Sequence, residues 1–284
     1  MTCAWKELLA VLPTWMRKDV DTLGADALQE LRLRINAPPE LVFAGENRWL
    51  ERILTREDLN YTVNAASRYS PWAAASAAQG YITAVGGHRI GLCGETVVQQ
   101  GTVKGIKNIT SICIRVARDF PGIAAGIEKI NGSILILGPP GWGKTTLLRD
   151  LIRRMERTER ICVVDERGEL FPEGLFCGKA VDVLSGCSKR QGISMLLRTM
   201  GPSCIAVDEI TAQEDAAALL QAANCGVRLL ATAHAVSLSD YRQRGIYRPL
   251  VEQGVFDVVV VLRKDKSYTM ERMTEWVTSG LVRY

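Results

Sequence analysis

A glycine-rich segment at residues 138–146 carries the residue types best suited to holding a phosphate. It reads GPPGWGKTT, follows the apolar run SILIL and precedes the helical pattern LLRDLIRRM, so it matches G-x-x-x-x-G-K-[ST] between a strand and a helix. Its glycines let the backbone curl so that successive N–H groups point inward, and the following helix adds the positive end of its dipole. The segment predicts a nucleotide site lined by Gly138, Pro139, Pro140, Gly141, Trp142, Gly143, Lys144, Thr145 and Thr146.

Two side chains of this segment have specific expected roles. We expect Lys144 to reach the β- and γ-phosphates of ATP, and the hydroxyl of Thr145 to ligate Mg²⁺. The competing interpretation is a plain glycine-rich turn with Lys144 in solvent. The pattern arises by chance in roughly one chain in a hundred of this size, and less often between a strand and a helix, so nucleotide binding is favoured.

Two pairs of acidic residues, Asp165-Glu166 and Asp208-Glu209, follow apolar runs further along the chain. If both runs are strands of one parallel sheet, the pairs emerge at its carboxyl edge beside the glycine-rich segment. We expect Asp208 to anchor Mg²⁺ through a water, and Glu209 to be the base that deprotonates the attacking water. Asp165 is expected to bind the nucleotide, and Glu166 is the second candidate for a catalytic carboxylate. Helix capping is the alternative for each pair.

A further apolar run, residues 228–231, is followed by Thr232, Ala233 and His234. A strand here would bring Thr232 and His234 to the same edge, placed to sense the γ-phosphate and relay its loss. A lone histidine is more often a satisfied structural residue, but its place at the end of a fourth strand favours the sensor role.

The elements that must position these residues lie in the second half of the chain, from about residue 130. Apolar runs of four to seven residues alternate there with helical patterns and do not themselves alternate with polar residues, which is typical of strands covered on both faces. The pattern predicts an α/β domain over residues 126–284, with a mostly parallel sheet and crossover helices. Residues 1–125 predict a smaller α+β domain, with helices over 26–33 and 58–69 and a strand over 111–116.

Composition narrows the class of protein. The chain has 284 residues, of which 47% are hydrophobic and 23% charged, as in ordinary globular proteins, and its net charge of +4 is too small to name a partner. Its eight cysteines form no C-x-x-C pair, which argues against zinc ribbons, redox dithiols and disulfide scaffolds. The start of the chain shows no signal-peptide pattern, and no stretch approaches the ~20 apolar residues of a membrane helix, so we expect a cytoplasmic protein.

The four motifs, in this order, resemble those of the secretion-superfamily ATPases: a Walker A loop, an Asp box at 165–167, a Walker B strand ending in Asp208-Glu209, and a His box at 232–234. A closer similarity is to the stage III sporulation protein AA family. It rests on LRLRINAPPEL at 31–41, GYITAVGGHRIGLCG at 80–94, SICIRVARDFPG at 111–122 and DVLSGCSK at 182–189. Departures are modest, with Trp142 at a variable loop position and Ala235 where Gly often follows the histidine.

The resemblance implies a RecA-like P-loop core of the ASCE class that uses ATP and Mg²⁺ and follows a smaller N-terminal domain. It implies an ATP-hydrolysing motor in the mother-cell cytoplasm of an endospore-forming bacterium. Such a motor would be a homo-oligomer, typically a hexameric ring. It would energise a secretion-like complex in the membranes between mother cell and forespore, and would be peripheral to the membrane through those partners.

Ring ATPases of this kind commonly complete the site with an arginine from a neighbour, because a fixed cation stabilises charge that develops on the γ-phosphate. The pair Arg32 and Arg34 is our preferred source, since alternation on a strand would put both on one face. A solvated strand face is the alternative. His88 and Arg89 follow Gly86-Gly87, a turn that could present them to a ligand, and a plain hairpin tip is equally compatible with the pattern.

Two other functions share the core motifs. The first is a nucleic-acid-dependent ATPase of the RecA or helicase type, and the second is a nucleotide switch that turns over too slowly to do work. No aromatic residues interleave with basic ones, which argues against a single-strand binding platform.

Overall fold

A computed structural model describes residues 2–67, 80–172, 175 and 177–273. The chain folds into two compact units. The front unit is Met1–Asp119 with Pro172–Leu175, and the back unit is Phe120–Phe171 with Phe176–Tyr284.

The front unit combines an antiparallel sheet with helices. In the described part of the chain the sheet has six strands in the order β3-β2-β1-β6-β5-β4. The strands are β1 (Leu28–Arg34), β2 (Glu40–Phe43), β3 (Asn47–Trp49), β4 (Tyr81–Thr83), β5 (Arg89–Gln99) and β6 (Thr102–Arg115). The helices are α1 (Trp5–Val11), α2 (Thr14–Leu23) and α3 (Arg56–Ser67). Apolar side chains of all three helices and of β1, β2, β4, β5 and β6 form one core.

The predicted helix over 26–33 is wrong, because this segment is strand β1. Leu28 and Leu31 are both buried although they stand at positions i and i+3, a spacing that is typical of a helix and not of a strand. In the structure the pairing of β1 with β2 shifts register between Leu28 and Glu30, and such a bulge turns the following side chains to the other face. From there Leu31 and Leu33 are buried while Arg32 and Arg34 are exposed, as the predicted strand alternation requires.

Helix α3 confirms the predicted helix over 58–69 as far as the structure describes it, and residues 68–69 lie outside the described part. The predicted strand at 111–116 is the last part of β6, ending one residue earlier.

His88 is a buried structural residue and is not presented to a ligand. The N–H of Ala117 donates to Nδ1 at 3.1 Å. Nε2 therefore carries the proton and donates to the carbonyl of Ala4 at 2.8 Å. The preceding turn leaves no room for side chains, since Gly86 has φ +81° and an added Cβ would lie 2.2 Å from that of Ala4. The neighbouring Arg89 lies over the ring of Tyr81 at 4.0 Å from its centroid.

Acid should destabilise the front unit through His88. Burial lowers the pKa of His88; Arg118 lowers it further, and the Ala4 carbonyl and Glu7 oppose the shift. Because the unfolded chain titrates near pH 6.5, stability is complete above that pH. It falls at lower pH by up to about 1.4 kcal/mol per pH unit, until the folded state also takes up the proton.

Urea unfolding at pH 7.5 and 5.5, followed by tryptophan fluorescence, measures this loss of stability. The variant His88→Gln should lose less stability on acidification than the natural chain. The control variant is His234→Gln, in the back unit. It should keep the part of the stability loss on acidification that His88 causes. An unchanged loss in His88→Gln would contradict the assignment.

The back unit is built on a sheet that is largely parallel. Across its described residues the order is β13-β12-β7-β11-β10-β8-β9. The strands are β7 (Ile134–Leu137), β8 (Ile161–Asp165), β9 (Val181–Ser185), β10 (Cys204–Glu209), β11 (Arg228–Ala233), β12 (Val258–Leu262) and β13 (Tyr268–Arg272). Only β13, among these, runs antiparallel to its neighbour. This confirms the predicted α/β architecture with a mostly parallel sheet.

Helices cover both faces of this sheet and create two cores. They are α4 (Lys144–Met155), α5 (Lys189–Thr199), α6 (Gln213–Asn224), α7 (Leu238–Gln243) and α8 (Arg248–Glu252). Helix α4 packs with Ile134 and Ile136 of β7 on one face. Helices α5 and α6 pack with Leu135 and Leu137 on the other. Burial on both faces explains why β7, β8 and β12 have continuous apolar sequences. Among the described helices, none has the length and apolarity to span a bilayer.

Candidate nucleotide-binding site

The glycine-rich loop joins β7 to α4 and has the backbone conformation that a phosphate loop needs. Gly141 and Gly143 have φ of +75° and +99°, in the left-handed region that favours glycine. Gly143 is the N-cap of α4, and no side chain caps this end of the helix. The first backbone N–H groups of α4 are thus left to bind an external acceptor at the positive end of the helix dipole.

Two lysines donate to carbonyls of this loop from different parts of the chain. Lys144 is buried, and its Nζ lies 3.2 Å from the carbonyl oxygen of Pro139. Burial lowers the pKa of Lys144, and Glu209 and Asp208 oppose this shift. Lys266, on the turn between β12 and β13, donates to the carbonyl of Gly141 at 2.6 Å. Sequence reasoning missed Lys266 because no motif includes it.

Thr145 and Asp208 meet at the carboxyl edge of the sheet, as predicted for a Mg²⁺ site. The Thr145 hydroxyl donates to Asp208 Oδ1 at 3.2 Å. Burial raises the pKa of Asp208 to about 6, and the carboxylates of Glu169, Asp165 and Glu209 add to the increase. A hydroxyl and a carboxylate in this negative environment match the oxygen donors that Mg²⁺ takes. No cluster of three or more potential metal-binding side chains occurs in the described residues.

Glu209 and His234 form a pair at the same edge. His234 Nε2 lies 2.9 Å from Glu209 Oε2, and both side chains are partly exposed. Burial lowers the pKa of His234, as do the charges of Lys144, Arg244 and Arg167, while Glu209 opposes them. The pairing places a carboxylate and an imidazole side by side, open to solvent, next to the loop lysine.

Thr232 is fully buried, one residue inside the end of β11. It pairs with Glu209 of β10 and Ile136 of β7 in the sheet. Its Oγ1 is enclosed and has no hydrogen-bond partner among the described residues. Its role as a nucleotide sensor stays a prediction. Since a buried hydroxyl without a partner is unfavourable, a state of the site that supplies one would be stabilised.

Asp165 has a structural role in this structure, and its predicted contact with nucleotide stays a prediction. Its side chain is buried, and its oxygens accept the backbone N–H groups of Glu169, Leu170 and Phe171, each at 2.9 Å. Three donors engage both oxygens and hold the loop after β8. The carboxylate thus fixes the segment that carries Glu166, and acts on Asp208 through its charge.

Replacing Asp165 with Asn should destabilise the back unit by about 2–3 kcal/mol. An amide group in this place would turn an N–H toward backbone donors and leave at least one of them buried without an acceptor. Urea unfolding of Asp165→Asn measures the loss. The matched control is Asp182→Asn, on the exposed face of the edge strand β9, which should change stability by less than about 0.5 kcal/mol. Equal stabilities of the two variants would refute the structural role.

Glu166 is bound by a residue to which sequence reasoning gave no role. Lys189, a buried residue at the start of α5, has its Nζ 2.5 Å from Glu166 and 3.6 Å from Asp215. Asp215 in turn accepts hydrogen bonds from Thr211 and Ala212 at the start of α6. This ion pair engages one oxygen of the Glu166 carboxylate, and the catalytic role of Glu166 stays a prediction. The signal in the sequence was the DVLSGCSK segment, which ends at Lys189.

Arg32 and Arg34 lie on the exposed face of β1 in the front unit, and each has a carboxylate partner there. Arg32 pairs with Glu30 at 2.9 Å and Arg34 with Glu40 at 2.6 Å. Exposed pairs of this kind contribute little to stability, so both guanidinium groups can be redirected at low cost. Their action on the nucleotide of a neighbouring subunit stays a prediction.

Comparison with known proteins places this site in a family. The family model described as "Sporulation stage III, protein AA" matches residues 5–272. Stage III sporulation protein AA of Bacillus subtilis (strain 168) is 36% identical over 281 residues, covering 92% of this chain and 91% of that protein.

Solved structures with the same fold include an ATPase and a pilus retraction motor. The Legionella pneumophila ATPase DotB has a TM-score of 0.60 at 17% identity, over 92% of this chain and 80% of its own. The pilus retraction motor PilT, solved with bound ADP, has a TM-score of 0.62 at 16% identity, over 90% of this chain and 80% of its own. These similarities establish the fold, a RecA-like core after an N-terminal domain.

Proposed function

This chain belongs to the sporulation stage III protein AA family, and we propose that it is a Mg²⁺-dependent ATPase that works as an oligomeric motor on a membrane complex. One observation carries the enzymatic part of the proposal. An uncapped helix end, a loop lysine, a hydroxyl–carboxylate pair and a carboxylate–imidazole pair all lie at one edge of the parallel sheet. Ligands of such sheets bind at this edge.

The chain's own residues divide the work of ATP hydrolysis. Lys144 and the N–H groups at the start of α4 bind the phosphates. Thr145 and Asp208 would hold Mg²⁺, which when bound neutralises charge on the β- and γ-phosphates. The 3.2 Å hydrogen bond between them uses the hydroxyl proton, so the lone pairs of the Thr145 oxygen stay available for the ion, and breaking the bond would also free Asp208 Oδ1.

Glu209 is the proposed base. It is partly exposed and so can contact a water, whereas Glu166 is tied to a buried lysine. The imidazole of His234 at 2.9 Å orients the Glu209 carboxylate. Any rearrangement at the γ-phosphate that moves Glu209 must also move His234. Because His234 directly follows β11, movement of the pair after hydrolysis can displace the end of β11 and the helices that follow it.

We further propose the cellular setting that the family relationship suggests. The protein would act on the cytoplasmic, mother-cell side as a homo-oligomer, most simply a hexamer. It would reach the membrane through proteins of a sporulation complex. An arginine from a neighbouring subunit would complete each site, with Arg32 and Arg34 as the first candidates to replace.

The test uses the purified full-length chain. Phosphate release from ATP is measured with Mg²⁺ and with EDTA, and the mass of the particle is measured with and without a non-hydrolysable ATP analogue. Mg²⁺-dependent hydrolysis together with an analogue-stabilised ring supports the motor. Nucleotide binding without turnover would indicate a switch, and steep, salt-sensitive stimulation by DNA or RNA would indicate a nucleic-acid-dependent ATPase. Either result would overturn the proposal.

A further inference from the structure

The turn between β12 and β13 reaches the phosphate loop because of the sheet order. β12 pairs in parallel with β7, and Val261 lies opposite Leu137. Leu137 is the last residue of β7 before the loop, so the turn that follows β12 emerges beside the loop at the same edge of the sheet. Lys266 lies in this turn, four residues after β12 ends.

The turn is closed by several hydrogen bonds and so holds Lys266 in a defined place. The N–H of Arg263 donates to Ser267 at 2.8 Å, and that of Lys266 donates back to Arg263 at 3.0 Å. Asp265 Oδ1 accepts from the N–H and the hydroxyl of Ser267, at 3.0 and 2.6 Å. Lys266 itself has φ +70°, in the left-handed region that few residues other than glycine adopt.

The side chain of Lys266 ends on the loop. Its Nζ donates to the carbonyl of Gly141 at 2.6 Å, and its Cδ lies 3.9 Å from the position a Cβ on Gly143 would occupy. Lys266 is exposed, and the hydrogen bond that its ammonium makes has a neutral acceptor, the Gly141 carbonyl. An exposed ammonium gains little from a neutral carbonyl and more from an ionised phosphate oxygen.

The charge of the site leaves room for such a cation. The ammonium of Lys144 is buried beside Asp208 and Glu209, so the negative charges of these two carboxylates already offset its positive charge. Asp208 and Glu209 together end β10, so two acidic side chains lie at the same edge of the sheet. A nucleotide polyphosphate that binds there gains from a further cation, and the Nζ of Lys266 lies at the loop, 2.6 Å from the Gly141 carbonyl.

We propose that Lys266 is a second phosphate ligand from the same chain, which exchanges the Gly141 carbonyl for a phosphate oxygen when a nucleoside di- or triphosphate binds. The inference rests on the proposed nucleotide site and adds a residue that no phosphate-loop motif contains. Lys266 follows β12 and Glu209 ends β10, and these two strands lie on opposite sides of β7 in the sheet, so we expect Lys266 to contribute equally to the binding of ADP and of ATP.

The experiment compares the affinities of ADP and of a non-hydrolysable ATP analogue by titration calorimetry with Mg²⁺. Lys266→Gln should weaken both by about tenfold, the effect of one charge-assisted hydrogen bond. The loss should shrink as salt is raised, because screening weakens the natural contact. Lys266→Arg should restore most of the affinity. The matched control is Lys264→Gln, on the same turn, which should bind both nucleotides within about twofold of the natural chain.

The variant Lys266→Asn tests whether a distorted turn explains the loss of affinity, because Asn tolerates a positive φ. It should weaken nucleotide binding as Lys266→Gln does. If both variants and the Lys264 control bind alike, Lys266 is not a phosphate ligand, although the nucleotide site stands. If the loss does not depend on salt and Lys266→Arg fails to restore affinity, the residue only shapes the loop. If the natural chain binds neither nucleotide, the proposed function fails and this inference fails with it.

Discussion

Replacing Lys144 with Ala should abolish ATP binding while leaving the fold intact. Its ammonium lies at the start of α4, beside Asp208 and Glu209, and donates to the Pro139 carbonyl. It is therefore the positive charge on the inner side of the loop. Without it, the phosphates lose this cation while the negative charges of Asp208 and Glu209 remain, so the attraction that binds ATP is largely removed. Titration calorimetry with ATP and Mg²⁺ measures the loss.

The fold should survive this change because burial already lowers the pKa of Lys144, so its charge is held at a cost in the folded state. A thermal unfolding midpoint within a few degrees of the natural value would verify this. The matched control is Lys264→Ala, which removes the same charge from an exposed turn. Retention of normal ATP affinity by Lys144→Ala would refute the phosphate-loop assignment.

Glu209→Gln should keep ATP bound but slow hydrolysis by about 10²-fold or more, since a positioned base typically contributes 10²–10⁴. Glutamine preserves the length of the side chain and can still hydrogen-bond to His234, which lies 2.9 Å from the natural carboxylate. It cannot accept a proton from water. Single-turnover measurement of phosphate release at saturating ATP isolates this step from binding.

Glu166→Gln is the control for this second change. Its carboxylate is 2.5 Å from the buried Lys189, so substitution should affect stability more than the hydrolytic step. We expect hydrolysis by Glu166→Gln to fall less than tenfold. The reverse order, with Glu209→Gln near the natural rate and Glu166→Gln strongly impaired, would assign the base to Glu166.

The central strands of the back unit could be predicted from the sequence because they are buried on both faces. Continuous apolar runs at β7, β8 and β12 are unmistakable when helices cover each side. The strands β9 and β13 went unpredicted because they lie at the two edges of the sheet, half exposed, and so lack such runs. In the front unit, a bulge in β1 gave Leu28 and Leu31 a helical spacing, which no local pattern distinguishes from a helix.

By itself the sequence determined the phosphate loop, its order relative to two acidic strand ends, and the parallel sheet that brings them to one edge. These follow from local rules: glycine where φ is positive, apolar runs where both faces are covered, and a common direction of parallel strands. Thr145 beside Asp208, and Glu209 beside His234, are consequences of that order.

Only the tertiary structure decided what each polar side chain does at that edge. Asp165 and Asp208 occupy equivalent places in the sequence pattern, yet Asp165 is saturated by backbone N–H groups while Asp208 meets a hydroxyl. Glu166 is held by Lys189, 23 residues away, and Gly141 by Lys266, 125 residues away. Whether a carboxylate or an ammonium is free to act depends on partners that are distant along the chain, and folding alone brings those partners into contact.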